Sequence, residues 1–118
     1  MIRALFLCGK ARARGPTAAQ VAAQWDGVKA DCAGLSNDAD DLLSVEQLDW
    51  ADVIFVMEPR QKTRLASKYP GAARGKQIIS LDVPDLYSFM QPELIEILTK
   101  KLKPFLDPGR GKGGRNER

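Results

Sequence analysis

Histidine is absent from this 118-residue chain. That absence removes the Ser-His-Asp triad, the Cys-His pair and the phosphohistidine carrier together, because each needs an imidazole that exchanges protons near neutral pH. Cysteine is scarce, with Cys8 and Cys32 alone in the sequence. Two thiols without a histidine cannot complete a common zinc site, and no metal or other cofactor is called for. Nor do two cysteines form a disulfide framework. No apolar run approaches the length of a membrane span. The run Ala4–Leu7 is too short for a signal-peptide core and leads into Lys10, Arg12 and Arg14. The expected setting is therefore the cytoplasm, with no membrane partner.

A strong charge imbalance is also missing. The net charge is +3, and the last nine residues account for it: Arg110, Lys112, Arg115 and Arg118 stand against Glu117. A neutral body without interleaved aromatics argues against nucleic acid as a partner. The remaining numbers, 44% hydrophobic and 28% charged, are those of an ordinary globular protein. They fit one domain over 1–107 that buries its own core, followed by a basic Gly/Arg-rich tail over 108–118 that is expected to be disordered.

Within that domain, strand and helix signals alternate. Ala4–Leu7 is a buried strand ending at Cys8 and Gly9. Gly15 and Pro16 suit the cap and first position of a helix. The apolar positions Ala18, Val21, Ala22 and Trp25 give that helix one face. Val28–Cys32 is a weaker strand. Ser44 with Gln47 forms a capping box before a short helix, and Val53–Met57 is the clearest strand. Glu58-Pro59 opens a helix to about Lys68, and Gln77–Leu81 is a fourth strand. Gln91-Pro92 opens a last helix, with Leu94, Ile95, Leu98 and Leu102 on one face. The expected fold is a single α/β doubly wound domain, with a four-stranded parallel sheet and helices on both faces. Ligands bind such folds beyond the carboxyl ends of the strands, which directs attention to Cys8–Gly15.

The segment from Cys8 to Arg14 has the form Cys, five residues, Arg, between a strand end and a helix start. A tight loop there turns backbone N–H groups inward at the positive end of a helix, forming an anion nest. A guanidinium adds a planar fork of donors to a bound phosphate. The same field favours the thiolate of Cys8, which can attack phosphorus and form a covalent intermediate. The bland alternative is a core cysteine beside a surface arginine, and the strand-loop-helix setting weighs against it.

On these residues the chain resembles the low-molecular-weight protein tyrosine phosphatases. Cys8–Thr17 is similar to their phosphate-binding loop, in particular to a short bacterial branch with the loop Cys-Ser-x-Asn-x-x-Arg-Ser-Pro-Thr. The resemblance spans residues 2–105. Ala33-Gly34 is similar to the Ser-Ala-Gly after the family's second strand. Trp50–Glu58 resembles its third strand, and Asp82–Tyr87 its general-acid loop.

The resemblance implies a phosphomonoester hydrolase that works through phosphocysteine, with a phosphorylated protein or a small phosphomonoester as substrate. Cys8, Arg14 and Asp85 are its implied catalytic residues. Gly9, Lys10, Ala11, Arg12, Ala13, Arg14 and Gly15 are its implied phosphate-binding segment. Asp85 is preferred as the acid because an aromatic, Tyr87, follows it at the family's spacing; Asp82 is the second candidate. Ala11 and Gly15 stand where the family has asparagine and serine, which lowers preorganisation and predicts slow turnover. A catalytically weak or silent anion-binding module on the same fold is the alternative. Cys32 is either a small buried apolar residue or a disulfide partner for Cys8. The run Asp38, Asp40 and Asp41 is expected to be a solvated loop.

Overall fold

The computed structural model describes residues 1–9, 12–39 and 41–106. Lys10, Ala11 and Asp40 lie outside the described residues, as does the expected tail 108–118 together with Asp107.

Strands β1 (Ile2–Cys8), β2 (Val28–Gly34), β3 (Val53–Val56) and β4 (Gln77–Ser80) form one sheet in the order β2-β1-β3-β4. All three pairings are parallel, the expected doubly wound arrangement. β1 is central, and its residues Ala4–Cys8 are all buried. Successive side chains of a strand point to opposite faces, so a strand buried on both must be apolar throughout. Ala4, Phe6 and Cys8 join a core with Ala18, Val21 and Ala22 of α1 (Arg14–Ala22) and Leu94, Leu98 and Leu102 of α5 (Pro92–Leu106). Leu5 and Leu7 face the other way. They pack with Leu48 of α2 (Val45–Trp50) and Leu65 of α3 (Pro59–Lys68).

The register brings the loops together. Cys8 pairs with Gly34, Leu7 with Val56, and Val56 with Ser80. The carboxyl ends of all four strands therefore meet one edge of the sheet. Beyond it, Leu35 N–H donates to the Cys8 carbonyl (3.0 Å) and Ser36 N–H to that of Gly9 (2.8 Å). On the other side, Val83 N–H donates to the Met57 carbonyl (2.9 Å). The chain turns to opposite sides of β1 as it passes to β2 and then β3, so the switch point lies at the end of β1.

Several boundaries differ from expectation. α1 begins at Arg14 with Ala13 as its cap, so Gly15 lies within the helix and Pro16 is its third residue. Nothing opposes proline there, because the N–H groups of a first turn have no intrahelical acceptor. β2 continues to Gly34 despite Lys29 and Asp31, which an edge strand tolerates. A further turn, α4 (Pro70–Ala73), follows the C-cap of α3 at Tyr69. The α2 capping box forms as read: Gln47 N–H donates to Ser44 Oγ (3.2 Å), and Ser44 N–H to Gln47 Oε1 (3.0 Å). Ile95 is only partly buried, while Leu106 completes the α5 stripe.

Phe6 and Phe55 are register partners, fully buried and stacked at 5.1 Å between ring centroids. Phe6→Ala is expected to cost about 3–5 kcal/mol in urea unfolding, because a packed interior cannot close over so large a void. A loss under about 1 kcal/mol would mean that the two strands are not joined through these rings.

Candidate active site

Cys8 ends β1 and is 3% exposed. Its sulfur borders α1 closely: a Cβ placed on Gly15 would lie 3.1 Å from Cys8 Sγ and 3.5 Å from the Phe6 carbonyl oxygen. Glycine at 15 thus leaves room for the sulfur within the helix, a packing role rather than the expected cap. The Ala13 cap supplies no side-chain acceptor. The partly positive N-terminus of α1 is thereby left to any anion bound beside it.

A cavity of about 630 Å³ opens at this edge, and Cys8, Gly9, Arg12, Ala13 and Arg14 supply one side of it. Leu35 and Ser36, which follow β2, line it as well. Arg60, Gln61 and Arg64 come from α3, and Asp85 from the segment after β4.

Arg14 is not a surface charge, being only 5% exposed. A guanidinium cannot shed its proton, so burying it requires acceptors. Arg14 Nη1 donates to Glu58 Oε2 at 2.5 Å and to the Val83 carbonyl at 2.9 Å. Its Nε lies 3.7 Å from Asp85 Oδ1. Glu58 also meets Arg60 Nε at 2.8 Å. Its carboxyl is held below the ordinary value of 4.5, first by the hydrogen bond from Arg14 and then by the nearby charges of Arg14 and Arg60, with partial burial opposing. Gln61 fixes the strand-to-helix turn, where Met57 and Glu58 N–H donate to its Oε1 at 2.8 and 3.0 Å.

The two candidate acids separate. Asp85 reaches the cavity, and its side chain is 70% exposed. Asp82 does not line it; its Oδ1 accepts from Ser80 Oγ at 2.7 Å, with the backbone at φ 56°. Short polar side chains tolerate that left-handed conformation. Tyr87 packs against the core shared by α1 and α5.

Cys32 forms no disulfide with Cys8. Its thiol is pushed up to about 11, by burial first and then by Asp31, Asp41 and Cys8. It therefore stays protonated at neutral pH and is a poor nucleophile. Asp38 Oδ1 accepts from Ser36 Oγ at 2.6 Å in an exposed turn. Of the implied phosphate-binding segment, Gly9, Arg12, Ala13 and Arg14 line the cavity, Gly15 abuts the sulfur, and Lys10 and Ala11 lie outside the described residues. Glu58, Arg60 and Arg64 went unnoticed as site residues in the sequence. Their signal was position: they directly follow β3, the neighbour of β1 across the switch point.

No protein-family model matches the chain, and no curated protein sequence does. Solved structures do match. Wzb of Vibrio vulnificus in complex with benzylphosphonate is 17% identical over 89% of this chain and 97% of its own, with a TM-score of 0.74. A low-molecular-weight protein tyrosine phosphatase from T. tengcongensis is 22% identical over 87% and 96%, with a TM-score of 0.71. A YwlE arginine phosphatase mutant with a phosphorylated active-site serine is 17% identical over 88% and 97%, with a TM-score of 0.65. The chain has the fold of the low-molecular-weight phosphatases.

The depressed carboxyl of Glu58 makes a pH prediction. The stability it contributes is fully present above the ordinary value of 4.5 and is lost as pH falls through the lower folded-state value. Glu58→Gln should cost about 1–3 kcal/mol at about pH 6, and the difference from the parent should shrink by about pH 3.5. Urea midpoints at the two pH values measure this. A difference independent of pH would mean that the Arg14–Glu58 pair is not ionic.

Proposed function

We propose that this cavity hydrolyses phosphomonoesters through a phosphocysteine on Cys8. The observation that carries the reading is convergence. A thiol and a buried guanidinium at the two ends of one loop meet a carboxyl from a distant segment at one cavity, with Arg14 Nε 3.7 Å from Asp85 Oδ1. The benzylphosphonate in the Wzb structure and the phosphoserine in the YwlE mutant support anion binding and covalent phosphoryl transfer on this fold.

In this mechanism the phosphoryl oxygens are held by N–H groups of the loop over 9–15 and by Arg14, whose plane Glu58 and the Val83 carbonyl set. The Cys8 thiolate attacks phosphorus; the P–S bond forms as the ester P–O bond breaks. Asp85 gives its proton to the leaving oxygen. Water then attacks phosphorus with Asp85 as base, the P–S bond breaks, and inorganic phosphate departs with the thiolate restored. Glu58 is a positioning residue that acts through Arg14. The substrate is a phosphorylated protein or a small phosphomonoester. The setting is cytoplasmic, since a thiol nucleophile beside a second free cysteine fits a reducing compartment.

One observation favours a second reading, a weak or silent anion-binding module. Position 15 carries no hydroxyl to support the sulfur it borders, so the leaving thiolate is less stabilised in the transition state.

Turnover of phenyl phosphate separates the two, because its leaving oxygen is basic enough to need a proton. Cys8→Ser should abolish turnover yet retain vanadate binding. Asp85→Asn should lower kcat roughly 10²-fold or more, and Asp82→Asn less than about twofold. Tight vanadate binding without Cys8-dependent turnover would leave the binding module as the function.

A further inference from the structure

The hydrolase reading uses Cys8, Arg14 and Asp85 but leaves the wall of the cavity unexplained. That wall is cationic. Arg12 comes from the loop, and Arg60 and Arg64 from α3, one helical turn apart and so on the same face, about 6 Å apart along the axis. None of the described lining residues is aromatic, and Leu35 is the one large apolar side chain among them. Tyr87, the aromatic nearest the acid in sequence, packs partly buried against the core and is not among the lining residues. A phosphorylated ring would thus find little apolar surface to lie on and much positive charge beside it.

The arrangement of the guanidinium groups points the same way. Four guanidinium groups line the cavity. Glu58 offsets one charge, and its two oxygens are divided between Arg14 and Arg60. On the α3 wall, Arg60 contacts Glu58 through Nε, and Arg64 makes no ion pair among the described residues. Isolated exposed arginines contribute little. Two planar forks on one cavity wall can instead grip a single carboxylate or phosphate from two sides.

We propose that the preferred substrate is a phosphomonoester carrying a second anionic group, a carboxylate or phosphate, which Arg60 and Arg64 hold while Cys8 attacks the phosphoryl group. This rests on the hydrolase reading for the chemistry, but the preference itself is a binding property and can be measured without turnover.

The test compares meta-carboxyphenyl phosphate with its neutral carboxamide analogue, which has a similar leaving group and lacks the charge. The acid should show about tenfold higher kcat/KM, equivalent to about 1.4 kcal/mol. That preference should shrink as ionic strength rises from about 0.05 to about 0.5 M. Arg64→Ala should bring the ratio close to one, and Arg64→Lys should restore part of it. A second arm compares a phosphotyrosine peptide flanked by glutamates with one flanked by alanines. Preference in this arm assigns the second charge to a protein substrate, and preference only in the first arm assigns it to a small molecule. A ratio of one in both arms, or a ratio that Arg64→Ala leaves untouched, overturns the proposal while the hydrolase stands. If nothing is turned over, calorimetric binding of the carboxylate and carboxamide to Cys8→Ser protein decides. Tenfold tighter binding of the carboxylate upholds the anionic subsite although the hydrolase reading fails, and equal binding overturns both.

Discussion

A guanidinium at 5% exposure has to be answered by acceptors, and the way Arg14 is answered organises this molecule. Its partners come from two other segments: Glu58, just after β3, and the carbonyl of Val83, beyond β4. The pairing therefore ties the start of α1 to both loops on the far side of the switch point. It also leaves the guanidinium plane set before any ligand arrives. Without Glu58, Arg14 would keep the Val83 carbonyl and the looser, exposed carboxyl of Asp85 at 3.7 Å. The Arg14–Glu58 hydrogen bond thus both ties these segments together and sets the guanidinium plane.

Everything else at the site is held by the sheet. Parallel strands in register put the residues after β1, β2, β3 and β4 at one edge, and apolar burial on both faces of β1 holds that register. A slip of one residue would exchange Phe6 for Leu7 across the two cores and turn Cys8 away from α1. Gly15 adds a finer constraint, because the sulfur lies where a Cβ would crowd it. The resulting cavity has a thiol, a positioned guanidinium, an exposed carboxyl and a cationic α3 wall. The first three suit phosphoryl transfer, and the fourth suits a substrate with charge to spare.

Much of this was legible in the sequence, for local reasons. Buried strands have continuous apolar runs, the Ser44–Gln47 box marks its own helix, and Cys8 to Arg14 sits between a strand and a helix. Asp85 was preferred over Asp82 on the spacing to Tyr87, and the cavity includes Asp85 alone of the two. What escaped notice is non-local or ambiguous. Glu58 is 44 residues from Arg14, and only the β1–β3 register brings them together. Gly15 resembled a cap because glycine suits helix ends, whereas its role here comes from a sulfur that the sequence does not place. Pro16 is compatible with any position in a first turn, so it could not locate the helix start. Pro70-Gly71 has the composition of a breaker, yet it lies in α4.

The central claim is a covalent bond between phosphorus and Cys8 Sγ. It is tested most directly by mixing the protein with p-nitrophenyl phosphate, quenching in denaturant within the first turnovers, and mapping phosphorylation by mass spectrometry. The account predicts one added phosphoryl group on the peptide containing Cys8, and none on that containing Cys32. Nitrophenol release with Cys8 unmodified, or with phosphoryl on another side chain, would contradict it.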